Sequence, residues 1–225
     1  MTTLSVKESI LYGWRAFKAR PWPLIKVSLV LFAISFAFSF VNGILGALGN
    51  TTDGAAIMLI GLLSFAVSLA SIYVNITVNN MGVLTYFLKA HDDAATVTLR
   101  DLWRPHPFWR YLLAMLIVVL LVIGGLILLV VPGIIIALAL SFTTYVVLTR
   151  DLSAWEAVKE SARLTKGNRW KLFLLSLAIA ALTIVGFLAL FIGLLVTIPI
   201  SILAYVHAFR TLEAGANAVV PALTA

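Results

Sequence analysis

Apolar side chains run through this chain in four long blocks that no charged residue interrupts: Val27–Thr52, Gly54–Leu88, Tyr111–Thr149 and Leu172–Phe209. A helix crosses a bilayer with about 20 apolar residues. The first two blocks therefore predict one span each, joined by a Gly/Asn/Thr loop around Gly43–Ala55. The third is nearly two spans long and is punctuated by Val131-Pro132-Gly133. Proline lacks an amide donor and glycine accepts unusual dihedrals, so Pro132 and Gly133 predict a hairpin turn between two helices. The fourth block is of similar length, with Gly193 as its punctuation and Pro199 as an expected kink. The pattern predicts an all-α integral membrane fold of six transmembrane helices in three hairpins, each preceded by a short amphipathic interfacial helix, with the spans at residues 24–42, 57–88, 109–131, 134–149, 170–192 and 194–211. All six belong to a single polytopic membrane domain covering 1–225.

The polar segments between the blocks share a layout. A shift of 148 residues lays Leu4, Ser5, Glu8, Arg15, Lys18, Trp22 and Leu24 on Leu152, Ser153, Glu156, Arg163, Lys166, Trp170 and Leu172. Ser-x-x-Glu is a capping box: the serine oxygen accepts from an orphan amide and the glutamate reaches back to the cap. Thr98-x-x-Asp101 is a weaker version before the middle hairpin. The repeated part is thus a capped helix of about three turns, a tryptophan and a spanning hairpin, and its first copy predicts an interfacial helix over 5–20. In the later copy Trp155, Val158, Ala162 and Thr165 form one stripe. Glu156, Lys159, Glu160, Arg163 and Lys166 form the other face, with Glu160 placed to pair with Arg163 and Gly167 placed as a left-handed cap. The earlier copy sets Ile10, Trp14 and Phe17 opposite Lys7, Arg15 and Lys18. Short amphipathic helices of this kind lie in the membrane interface, and Trp22, Trp109 and Trp170 mark where the chain enters the bilayer.

Composition agrees: 62% of the 225 residues are apolar and only 11% charged, too few to cover a water-facing surface. The absence of cysteine removes disulfides and thiolate metal sites. The net charge of +7 points to nucleic acid until its distribution is examined. All 16 lysines and arginines lie before the first span, in Lys89–Arg110, in Arg150–Lys171 or at Arg210, and the hairpin tips have none. Six spans place those segments on one side, which the positive-inside rule makes the cytoplasm, termini included. The basic charge thereby has its explanation in membrane insertion, and nucleic acid is not an expected partner. The amino-terminal residues do not read as a cleaved signal peptide.

Three stretches, ESILYGWRAFKARPW at the start, VVPGIII in the middle hairpin and AWEAVKESARLTKGNRWKLF before the last, together resemble a bacterial family. It is a six-span membrane protein family of unknown function, related to the membrane domain of glycerophosphodiester phosphodiesterases. The resemblance implies the same six-span fold. It does not imply phosphodiesterase activity, because that chemistry belongs to a separate soluble domain rich in histidines and carboxylates, which is not expected in a chain ending at Ala225. It assigns no catalytic residue.

Asn75, Asn79 and Asn80, with Thr77, form the candidate intramembrane polar site. Asn79 lies ten residues from Lys89, so about 15 Å deep at a rise of about 1.5 Å per residue. Two readings are open: a polar site or pathway for a substrate, or interhelical hydrogen bonds that fix packing. Arg15, Lys18, Arg163, Lys166 and Arg169 are the candidate contacts for anionic lipid headgroups. Gly43, Gly46 and Gly124-Gly125 are expected at close helix contacts. His91, His106 and His207 are scattered and lack a ligand spacing, so no metal and no cofactor are expected. No nucleophile–base pair and no acidic residue occurs inside the spans, which argues against an enzyme. The expected function is a non-enzymatic protein of the inner membrane that organises, anchors or regulates lipids, anionic ones included, or a protein partner. The alternative is a transporter or lipid-handling channel using the Asn75/Asn79 region.

Overall fold

A computed structural model describes residues 4–50, 54–94, 96–103, 107–188 and 192–223. Among them the secondary structure is helical throughout. The elements are α1 (Val6–Ala19), α2 (Pro21–Asn50), α3 (Ala55–Val74), a π-helical segment (Asn75–Gly82), α4 (Val83–Asp92) and a short 3-10 turn (Leu99–Trp103). They continue as α5 (Phe108–Leu128), α6 (Val130–Ala139), α7 (Thr143–Thr149), α8 (Ala154–Thr165), α9 (Arg169–Leu188) and α10 (Ile192–Leu223). Six stretches are long and apolar enough to cross a membrane: Pro21–Asn50, Ala56–Asp92, Phe108–Leu128, Val130–Thr149, Arg169–Leu188 and Gly193–Ala216. α2 packs on α3, α5 on α6, and α9 on α10.

α10 is the hub. It packs against α1, α2, α4, α8 and α9, and its Leu203, Ala204, Val206 and Phe209 are buried with Met81, Phe87, Phe142 and Leu175. Gly13 lets α1 press onto it: a Cβ there would sit 2.5 Å from the Ile200 carbonyl oxygen. The buried face of α1 is therefore Ser9, Gly13 and Phe17, and Trp14 is left exposed. By contrast α3 buries none of its described side chains and α2 only its first turns. Along α2, Phe32, Phe36 and Phe40 stack at i, i+4 spacing on the exposed side. Such apolar surface is stable only against hydrocarbon.

Several boundaries differ from the sequence expectation. The first tip does not loop from Gly43, because α2 stays helical to Asn50; Thr51–Asp53 lie outside the described residues. The turn between α5 and α6 is at Leu129, which is fully extended at φ −168° and ψ 152°. Pro132 and Gly133 instead lie in the first turn of α6. Proline fits there because first-turn amides have no intrahelical acceptor. Gly133 fits because a Cβ would meet Leu126, with Gly125 opposite. Of the glycines expected at close contacts, Gly125 is one, whereas Gly43, Gly46 and Gly124 face open space. α10 continues through Pro199 as one helix, and Gly193, near its start, meets Gly186 of α9.

The stretch expected as one span over 134–149 is broken into α6 and α7 at Leu140–Phe142. α8 meets the break. Ser161 Oγ accepts from the Phe142 amide at 3.1 Å and donates to the Ala139 carbonyl at 3.0 Å, and Thr165 Oγ1 lies 3.1 Å from the same carbonyl. Backbone groups freed inside an apolar layer need such partners. This shifts the buried face of α8 to Ala157, Val158, Ser161, Leu164 and Thr165 and leaves Trp155 exposed. The α8 caps are those the sequence predicts. Ser153 and Glu156 close a full capping box, and Gly167 has φ +83°. At α1 only the serine half forms, Ser5 Oγ accepting from the Glu8 amide at 3.3 Å.

Candidate functional site

The π-helical turn is centred on the asparagines. Its wider pitch brings Asn80 Nδ2 onto the Asn75 carbonyl at 2.9 Å and the Asn75 side-chain oxygen at 3.1 Å. Asn79 points across to α2, its Nδ2 donating to Ser35 Oγ at 3.1 Å. On the far side Met81 is fully buried, and Gly82 admits the Leu102 carbonyl, which a Cβ would strike. One short segment therefore serves two neighbours. π turns are rare and often mark functional sites.

Between α2 and this segment lies a groove of about 190 Å³, lined by Ser35, Ser39, Asn42, Ser71, Asn75 and Asn79 among others. Ser68 donates to Asn42 Oδ1 at 3.3 Å at one end. The buried Oδ1 of Asn79 has no hydrogen-bond partner. The asparagines are thus partly joined to a neighbouring helix, as a packing role requires, yet they also border open space. Sequence reasoning found Asn75, Asn79 and Asn80 but missed the α2 half. Its signal was there: Ser35, Ser39 and Asn42 repeat at helical spacing along an otherwise apolar helix.

The charged segments gather at one place. The Leu4 amide donates to Asn168 Oδ1 at 3.3 Å, and Arg20 Nη1 to the Ala94 carbonyl at 2.6 Å. Arg110 pairs with Asp151. A continuous ion-pair chain runs from Asp92 to Arg210, Glu213, Arg150, Glu160 and Arg163, joining α4, α7, α8 and α10. Arg163 is therefore held by Glu160 at 2.7 Å through two nitrogens, a poor candidate for a headgroup contact. Those hydrogen bonds are the main cause holding the Glu160 carboxyl below its ordinary value. Lys18 instead lies 4.9 Å over the Trp14 ring, and Lys166 has no ion pair among the described residues. Arg169 reaches no ring or carboxylate among them, and its buried Nε has no acceptor.

Where the end of α4 meets the middle of α10, His91 Nε2 and His207 Nδ1 lie 3.2 Å apart, one donating and one accepting. Tyr12 of α1 stacks on His207 at 4.4 Å, and His91 Nδ1 touches Asp92 at 3.3 Å. Burial first, then the charge of Asp92, pushes the Tyr12 hydroxyl above its ordinary value. The two histidines are 116 residues apart, a pairing that no local pattern announces. His106 lies outside the described residues. Among those described, no three His, Cys, Asp or Glu side chains converge as a metal set. Asp101, buried in the 3-10 turn, accepts from Lys89 at 3.0 Å and from the Thr98 amide at 2.8 Å. Burial alone raises its carboxyl, but these bonds outweigh it and hold the group below its ordinary value.

Residues 107–215, just under half of the chain, match a family model described as a protein of unknown function (DUF975). An uncharacterized protein of Mycobacterium bovis is 27% identical over 228 residues, covering 94% of this chain and 69% of that protein. An uncharacterized protein of Mycobacterium tuberculosis is 26% identical over the same coverage. A UPF0259 membrane protein of Pectobacterium carotovorum is 34% identical over 88 residues, 39% of this chain and 35% of that one. None of these is described as a glycerophosphodiester phosphodiesterase, so the expected kinship finds no support among them. No solved structure matches. The six apolar helices and the similarity to a named membrane protein identify the chain as a multi-pass membrane protein.

Proposed function

We propose that this is a non-enzymatic protein of the bacterial inner membrane that gathers anionic lipids at the cytoplasmic leaflet. Its termini lie in the cytoplasm. Its six spans form three hairpins, two of them entered through the amphipathic helices α1 and α8 lying in the interface. The observation that carries the reading is the set of exposed tryptophans in or beside the basic segments. Trp14, Trp22, Trp109, Trp155 and Trp170 are all exposed, with Lys18 and Lys159 over two of the rings. Internal arginines are neutralised by carboxylates, whereas Lys18 and Lys166 face outward, each worth about 1 kcal/mol beside an anionic leaflet. α1 and α8 bury one face in the protein, with Phe17 on α1 and Val158 and Leu164 on α8, and turn Trp14 and Trp155 away from it, as helices in the interface do. Any kinship to the phosphodiesterase membrane domain rests on the motifs of the sequence alone.

The test is native mass spectrometry of the chain released from nanodiscs of mixed phosphatidylethanolamine and phosphatidylglycerol. Retained phosphatidylglycerol is expected to exceed its share of the nanodisc. It should fall several-fold in a Lys18→Gln, Lys166→Gln, Arg169→Gln variant, at about 1 kcal/mol per charge. Retention that follows the nanodisc composition, or is unchanged in the variant, contradicts the reading. The groove at Asn79 favours a second reading, a pathway for a small polar solute. An Asn75→Cys variant reacts rapidly with a water-soluble thiol reagent if the groove is wet, and a lack of reaction ends that reading.

A further inference from the structure

A second, larger cavity lies where α1, the first turn of α2, the end of α4 and α10 meet. It holds about 450 Å³, within the roughly 300–1,000 Å³ of small-molecule sites and toward their small end. Its inner wall is the buried Leu24, Tyr86 and Leu203. Arg15 and Arg20, exposed on and just beyond α1, line it as well. No carboxylate is among its described lining residues. Elsewhere Arg110, Arg150, Arg163 and Arg210 each have a carboxylate partner, while Arg100 and Arg169, which do not line the cavity, have none among the described residues. Arg15 and Arg20 have none among the described residues. Arg20 is fixed by its bond to the Ala94 carbonyl, which uses one of its five N–H donors.

Two uncompensated guanidinium groups beside an apolar chamber match one ligand chemistry. We propose that the cavity binds a single-chain lipid anion, its acyl chain against Leu24, Tyr86 and Leu203 and its carboxylate or phosphate on Arg15 and Arg20. Guanidinium pairs such oxyanions in bidentate fashion, and the small volume favours one chain over two. The inference rests on the proposed topology, which puts α1 in the interface where such a lipid dissolves. It is separate from the gathering of bulk phospholipid by Lys18 and Lys166, neither of which lines the cavity.

The test uses the full chain in nanodiscs and spin-labelled probes: a C16 fatty acid, a lysophosphatidate and a neutral monoacylglycerol. One of the two anions should saturate at one per chain and bind at least about tenfold tighter than the neutral probe, the scale of one charged hydrogen bond. Which anion does so identifies the head. Arg15→Gln with Arg20→Gln should remove that preference, and Ala90→Leu, which narrows the cavity without changing charge, should weaken both anions. Lys18→Gln with Lys166→Gln should leave binding unchanged. Linear, non-saturating uptake, or equal binding of anion and neutral probe, overturns the proposal. The comparison of probes on the unaltered chain decides even if a variant misfolds. If phosphatidylglycerol retention stands while probe saturation fails, only this site is wrong; the reverse outcome spares the site and removes the leaflet reading.

Discussion

Replacing Ser161 with alanine tests how the broken fourth span is held. Ser161 is fully buried, and its hydroxyl both accepts from the Phe142 amide at 3.1 Å and donates to the Ala139 carbonyl at 3.0 Å. Alanine fits the same space, so the change deletes hydrogen bonds without opening a large cavity. The Ala139 carbonyl keeps Thr165 at 3.1 Å, but the Phe142 amide loses its side-chain acceptor. One buried unsatisfied donor costs about 1–3 kcal/mol, while side-chain hydrogen bonds in membrane proteins average about 0.6 kcal/mol. The expected loss is therefore about 1–2 kcal/mol. Thr165→Val alone should cost less, because Ser161 still serves the carbonyl. Combining the two strips the carbonyl of both donors, so the double variant should exceed the sum of the singles by about 0.5 kcal/mol or more. The assay is reversible unfolding in mixed micelles followed by tryptophan fluorescence. Strict additivity, or Ser161→Ala within about 0.3 kcal/mol of the unaltered chain, would refute the bridging role.

Other outcomes follow from the same geometry. Gly82→Ala should destabilise the chain by about 1–3 kcal/mol, since its Cβ meets the Leu102 backbone, and a Tm equal to the unaltered chain contradicts that packing. Asn79→Leu should raise stability or leave it unchanged, because it removes a buried oxygen that has no partner; a large loss of Tm would instead mark Asn79 as a packing residue. Asp101 and Glu160 both have lowered carboxyl values when folded. Their stabilisation is complete above the ordinary carboxylate pKa of about 4 and disappears as pH falls through the lower folded values. Tm should thus be flat from about pH 7 to 5 and fall below that, and Asp101→Asn should reduce the fall; a profile unchanged by the substitution refutes the assignment.

The spans were legible because apolar length is a one-dimensional property, and the one-ended cations were legible because they are counted along the chain. Ser153, Glu156 and Gly167 were legible for a similar reason: caps are local, and their partners lie within three residues. What escaped was set by contacts distant in sequence. The break after Ala139 is stabilised by Ser161 and Thr165 from another helix. The residues around it are as apolar as those of an unbroken span. Pro132 suggested the turn three residues too late, since proline marks a helix start as readily as a helix end. Arg163 pairs with the neighbour predicted for it, Glu160, but Arg150 reaches the same carboxylate from α7's end, which spacing does not reveal. Of the polar groove, the asparagine half was visible as costly groups deep in a span. The serine half on α2 was visible only as a faint helical period.

The account depends most on which side of the membrane each end occupies. The chain has no cysteine, so single substitutions report position directly. Asn50→Cys and Leu129→Cys should react with a membrane-impermeant maleimide on intact spheroplasts, whereas Lys18→Cys and Lys159→Cys should react only after the membrane is opened. Labelling of Lys18→Cys or Lys159→Cys from outside would contradict the arrangement on which the lipid reading stands.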